Sequence, residues 1–97
     1  MKLSWSEQSK SDLSAIRSYI ARDSEYYADR MILRLLSRAE RILAFPTSGH
    51  LVHEYPEADL KEVHEEPYRI IYRPLKTEVE IVTIVHFRKP LNKAKLG

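Results

Sequence analysis

Four cationic or imidazole side chains in the last third of the chain have the types and spacing for phosphate chemistry. Arg69 and Arg73 alternate with Ile70 and Tyr72, and His86 and Arg88 lie two residues apart, so an extended backbone would turn each pair to one side. Arginine forks take phosphate oxygens in pairs, and a nearby imidazole moves a proton near neutral pH. On one shared surface this set could hold an RNA backbone and help to cleave it. The competing reading is structural: arginines at a sheet edge are commonly solubilising, or they pair with carboxylates such as Glu62, Glu65 and Glu66 in the preceding segment. His64 and Tyr72 read as packing residues. His50, His53, His64 and His86 fall in different segments without the spacing of a helix-borne zinc pair, so no metal site is expected. Gly49 and Gly97 are the two glycines, which leaves no phosphate-cradling loop; no cofactor and no nucleotide hydrolysis are expected.

The elements that must position these residues are legible from hydrophobic period. Residues 2–5 alternate polar and apolar and read as a short strand, after which Ser6 offers a hydroxyl to cap a helix beginning at Glu7. Leu13, Ile16 and Ile20, with Tyr19 alongside, share one helical face, while Lys10, Asp12 and Arg17 point elsewhere. Asp23 and Ser24 break this pattern and cap a second helix, in which Ala28, Met31, Ile32, Leu35, Leu36, Ala39, Ile42 and Leu43 keep the helical period. Arg30, Arg34, Arg38 and Arg41 occupy its other side. Phe45 and Pro46 stop it, because proline lacks a donor and disfavours helical geometry in the residue before it.

Beyond Gly49 the period changes to two. Residues 51–55 and 60–66 read as short, edge-type strands, the second with Leu60, Glu62, His64 and Glu66 on one face. Residues 68–73 are rich in β-formers, and residues 79–87 form a longer run that becomes apolar on both faces, as expected for the central strand of the sheet with its second half covered on both sides. The expected fold class is therefore α+β, in the order β-α-α-β-β-β, with a helical hairpin laid across one side of a mainly antiparallel sheet.

With 97 residues the chain holds one small core and one domain, spanning residues 1–97. A 43% hydrophobic and 31% charged composition is that of a folding chain, and the absence of cysteine leaves packing alone to hold it, which fits a reducing, cytoplasmic setting. No apolar run approaches a signal or membrane-spanning length, so no membrane partner is expected. The net charge of +2 conceals a segregation: residues 46–67 carry one Lys/Arg against six Asp/Glu, and residues 68–97 carry seven against two. Such a pattern marks either a charged partner or a solvated basic end.

Several blocks in order and at matching separations carry a resemblance: residues 12–21 on the first helix, 45–49 at the end of the second, 68–73, and 79–82 with 85–88. Together they resemble the ParE branch of the RelE/ParE toxins, over nearly the whole chain. The resemblance implies a toxin of a type II toxin–antitoxin pair, of the plasmid-stabilisation kind, neutralised by a cognate antitoxin that lays a helix along the hairpin around Leu13, Ile16, Tyr19 and Ile20. It further implies poisoning of DNA gyrase without chemistry by the toxin itself. Arg69, Arg73, His86, Arg88, Lys89 and Lys93 would then contact gyrase or its DNA. The RelE branch supplies the alternative, a ribosome-dependent mRNA endoribonuclease, in which Arg69 would hold the scissile phosphate and His86 and Glu62 would act as base and acid. The acidic stretch around Lys61 and the lack of a tyrosine after Phe87 depart from that pattern.

Overall fold

A computed structural model describes residues 1–97. Strand β1 (Lys2–Trp5) leads into helix α1 (Glu7–Ala21), and α2 (Glu25–Ile42) returns beside it. Both helices start where the sequence places their caps. The Ser6 hydroxyl accepts from the Ser9 amide at 3.0 Å, and the Ser24 hydroxyl accepts from the Tyr27 amide at 3.2 Å, satisfying donors that the first turn leaves free. Ser6 also donates to the Val82 carbonyl at 2.6 Å, so the cap of α1 doubles as a tie to the sheet.

The remaining strands are β2 (His50–Leu51), β3 (Lys61–Glu65), β4 (Tyr68–Pro74) and β5 (Glu78–His86), in the spatial order β1-β5-β4-β3-β2. All neighbours are antiparallel except β1 and β5, which run parallel. This is the α+β architecture expected from the periodicity. Leu35, Ala39 and Ile42 of α2 turn inward against Val63, Tyr68, Ile70, Tyr72, Ile81 and Ile84 of the sheet, with Leu13 and Ile16 of α1 packed at the margin. Each fully buried aliphatic side chain in this layer contributes roughly 1.5–3 kcal/mol relative to exposure.

The opposite face of the sheet has its own smaller apolar cluster. Ile71, Val82 and Val85 are covered there by Val52 and Leu60, from either end of the segment joining β2 to β3, and by Leu91 from the C-terminal segment. A 3-10 turn over Lys93–Leu96 adds Leu96 to its edge. This second covering explains why Val82–Val85 is buried throughout.

Four details differ from the sequence reading. Residues 51–55 are not a strand: pairing stops at Leu51, and the chain turns through the segment that carries His53 and Glu54. β3 lies inside the sheet because the two-residue β2 pairs along it, and β4 is the middle strand while β5 sits between β4 and β1. Asp12 does not face solvent. It is 8% exposed and its Oδ2 accepts from the Thr83 hydroxyl and, at 2.9 Å, from the Ile84 amide, which lies past the end of β5's pairing with β1. His64 is not a packing residue but an exposed one, whereas Tyr72 is fully buried as expected. No helix is long and apolar enough to cross a membrane.

Candidate functional site

The charged residues of the sheet face away from the helices form the candidate site, and strand register assembles them. Glu62 of β3 stands between His50 of β2 and Ile71 of β4, and His64 stands opposite Arg69. With period two these side chains share one face, because Val63 and Ile70, paired between them, belong to the helix-side core. The Arg69 guanidinium lies within this group at 10% side-chain exposure, bracketed by two carboxylates. Nε and Nη2 donate to Glu62 at 2.7 and 3.0 Å, and Nη1 and Nη2 donate to Glu54 at 2.8 Å each.

Four of the five guanidinium N–H groups are thereby used. The Arg69 hydrogen bonds hold the Glu54 carboxyl at about 2, well below the usual carboxylate range, with burial opposing them only in part. For Glu62 burial acts upward, but the hydrogen bonds from Arg69 and His64 outweigh it and the net direction is downward. The same pairing pushes Arg69 up, so the three groups stay ionised through the ordinary pH range. His64 completes the cluster: its Nε2 is 2.9 Å from Glu62 Oε2, its ring stacks on His50 at 5.5 Å, and the Phe87 ring meets it edge-on at 5.0 Å. Around these residues opens a cleft of about 970 Å³, rimmed by His53, Arg88, Lys89 and Pro90.

The other residues expected at the site are dispersed. Arg73 pairs with Glu80 at 2.8 Å across β4 and β5, and it does not line the cleft. His86 stands opposite Tyr68, whose ring it meets edge-on at 5.5 Å, and so lies on the helix side of the sheet, across from Arg69. The expectation that Arg69 and His86 share one surface is thus corrected by register: Arg69 pairs with Val85, the neighbour of His86. Nor do His86 and Arg88 face the same way, because β5 ends at His86 and the chain turns, with the Lys89 amide donating to the His86 carbonyl at 3.0 Å and the Arg88 amide donating to His86 Nδ1. That turn delivers Arg88 and Lys89 to the cleft rim. Lys93 is exposed on the C-terminal 3-10 turn, and Lys95 approaches Asp12 at 3.7 Å.

On the hairpin, Leu13, Ile16 and Ile20 are half-buried, and the first two are engaged with the core; Tyr19 is 69% exposed. Sequence reasoning missed Glu54 as the second partner of Arg69. No local pattern announces it, since the contact spans fifteen residues across a turn that looked like a strand. The one available signal was the surplus of acids between residues 46 and 67, which the fold spends internally: Glu54 and Glu62 on Arg69, and Glu65 on Arg34 at 2.8 Å and Arg41 at 3.7 Å.

A helical hairpin thus lies on one face of a five-stranded α+β sheet, and a charge-lined cleft opens on the other. The family of ParE toxins of the type II toxin–antitoxin system parDE matches residues 3–90, and the chain belongs to it. Among curated relatives, Toxin RelE2 of Caulobacter vibrioides is 39% identical over 83 residues, covering 84% of this chain and 90% of that protein. Among solved structures, the chromosomal ParDE toxin–antitoxin system from P. aeruginosa superposes with a TM-score of 0.74 at 19% identity, covering 89% of this chain and 95% of the matched chain, a likeness of fold.

Proposed function

We propose that this toxin acts by inhibiting DNA gyrase, and so DNA replication, through binding and not through a reaction of its own, in the cytoplasm and under the control of a cognate antitoxin. The observation that carries this reading is the state of Arg69. A phosphate-cleaving site needs free donors on the phosphate and an acid or base within hydrogen-bond reach of the reacting atoms. Here the arginine is spent on two carboxylates, and His86 lies on the other side of the sheet. Arg88, Lys89 and Lys93, by contrast, are exposed cations at the end of the chain, suited to an acidic protein surface or a DNA backbone. Arg69 and Arg73 then support this surface as ion-paired scaffold, and His86 as the residue that shapes the turn.

In this reading the antitoxin segment lies along the hairpin, a role supported by the exposure of Tyr19 and the half-buried Leu13, Ile16 and Ile20 beside it. Ribosome-dependent mRNA cleavage is the second reading. It is favoured by the imidazoles of His50, His53 and His64 beside Arg88 and Lys89 in the cleft, and by the name of the relative RelE2. The test is a supercoiling assay with purified gyrase and relaxed plasmid. The toxin is expected to suppress supercoiling and accumulate cleaved plasmid, and Arg88→Ala with Lys89→Ala to weaken both. Undisturbed supercoiling at saturating toxin defeats the reading.

A further inference from the structure

The cleft is charge-balanced. Arg69, Arg88 and Lys89 face Glu54, Glu62 and Glu66 in its lining, so with neutral imidazoles the formal charges cancel. The two carboxylates on Arg69 are held differently. Glu62 belongs to β3 and is 5% exposed, so it is fixed with the sheet. Glu54 belongs to the segment after β2, is 31% exposed, and covers the end of the guanidinium, binding Nη1 and Nη2 together. That paired arrangement is the one by which an arginine otherwise takes two phosphate oxygens.

The geometry points to Glu54 as an anion-excluding latch, a specificity-determining residue that occupies the phosphate-binding fork of Arg69 and keeps RNA phosphates off that guanidinium, leaving Arg88 and Lys89 at the rim free for the target. The inference rests on the reading above, in which this face does no work on RNA. A phosphate reaching Arg69 must displace Glu54, lose two charge-assisted hydrogen bonds of 2.8 Å, and leave a carboxylate unpaired beside Glu62. Without Glu54 the Arg69–Glu62 pair is neutral overall, two donors open into the cleft, and Arg88 and Lys89 tip the lining to a net positive charge.

The test compares the wild type, Glu54→Gln, Glu54→Ala and Glu57→Gln, using a fluorescein-labelled twelve-nucleotide RNA of mixed sequence and anisotropy over a salt series. Glu57→Gln removes the same charge from the same segment at an exposed residue that does not line the cleft. Both Glu54 variants are expected to bind about tenfold tighter or better, with a logarithmic salt slope steeper by about 0.7, the value for one added phosphate contact on a single strand. Glu57→Gln should match the wild type. Equal binding by the Glu54 variants and the wild type, or an equal gain in Glu57→Gln, overturns the latch; thermal melts confirm that each variant is folded. The assay contains no gyrase, so a failed latch leaves the supercoiling result intact. A gain in Glu54→Gln with wild-type protein that ignores gyrase faults the proposed target and not the latch.

Discussion

Replacing Arg69 by Met removes the guanidinium while keeping an unbranched chain of similar length, and the structure fixes what is left behind. Glu62, 5% exposed, loses two hydrogen bonds and keeps only His64 at 2.9 Å. Breaking one side of a buried ion pair costs about 3–5 kcal/mol, because the stranded carboxylate remains desolvated. Glu54, nearly a third exposed, can turn to water and adds at most about 1 kcal/mol. Domains of this size hold a total stability of roughly 5–15 kcal/mol, so Arg69→Met should remove a large part of it. Its melting temperature should fall by between about 12 and 48 °C. Urea titration followed by circular dichroism at pH 7 measures the loss directly, and adding Glu62→Gln to Arg69→Met should restore part of it by removing the stranded charge. A loss below about 1 kcal/mol would refute the reasoning, since the guanidinium would then be available to a target and not committed to the fold. Loss of toxicity in an Arg69 variant therefore says nothing about catalysis until the variant is shown to be folded.

Three further outcomes follow from the same contacts. Glu54 has a folded value of about 2 against an ordinary 4.5, so its stabilisation is complete above about pH 5 and is lost as pH falls toward 2. Allowing for its exposure this amounts to at most about 1 kcal/mol in urea titrations across that window, and in Arg69→Met the slope should reverse as the stranded Glu62 takes up a proton. Gly49→Ala should destabilise by about 1–3 kcal/mol, because an added Cβ meets the Tyr72 hydroxyl and the Glu62 carbonyl oxygen; calorimetry checks it. Asp12→Ala should cost about 1–3 kcal/mol by orphaning the buried Thr83 hydroxyl and Ile84 amide, and hydrogen exchange at Ile84 should quicken.

What was readable in the sequence was whatever depends on local period. Both helix starts, at Ser6 and Ser24, rest on a hydroxyl three residues before the amide it caps, and the apolar spacing from Ala28 to Ile42 states which face of α2 is buried. The Phe45–Gly49 segment announced a stop. Its further role needed the structure: the Tyr72 hydroxyl donates to the Pro46 carbonyl at 2.8 Å and accepts from the Gly49 amide at 3.1 Å, across more than twenty residues. The site was less legible because it depends on register. β4 and β5 pair Ile71 with Thr83 and Tyr72 with Ile81, leaving Val82 as an extra residue, and the pairing of Tyr68 with His86 sets that imidazole across the sheet from Arg69. A shift by one residue would have placed them together, and nothing in residue type distinguishes the two registers. Glu54 was hidden for a different reason. Residues 51–55, with Val52 and Tyr55 as β-formers between turn signals at Gly49 and Pro56, imitate a strand, while Val52 is in fact buried in the cluster behind the sheet and Glu54 turns back to Arg69.

In the proposed function this toxin disables its target by occupying it, with no bond broken on its own sheet. The most direct measurement induces the protein in growing cells and follows DNA synthesis and messenger RNA integrity side by side. Replication is expected to stop first, with gyrase trapped on cleaved DNA and transcripts intact. Transcripts cut within translating ribosomes while replication continues would contradict it.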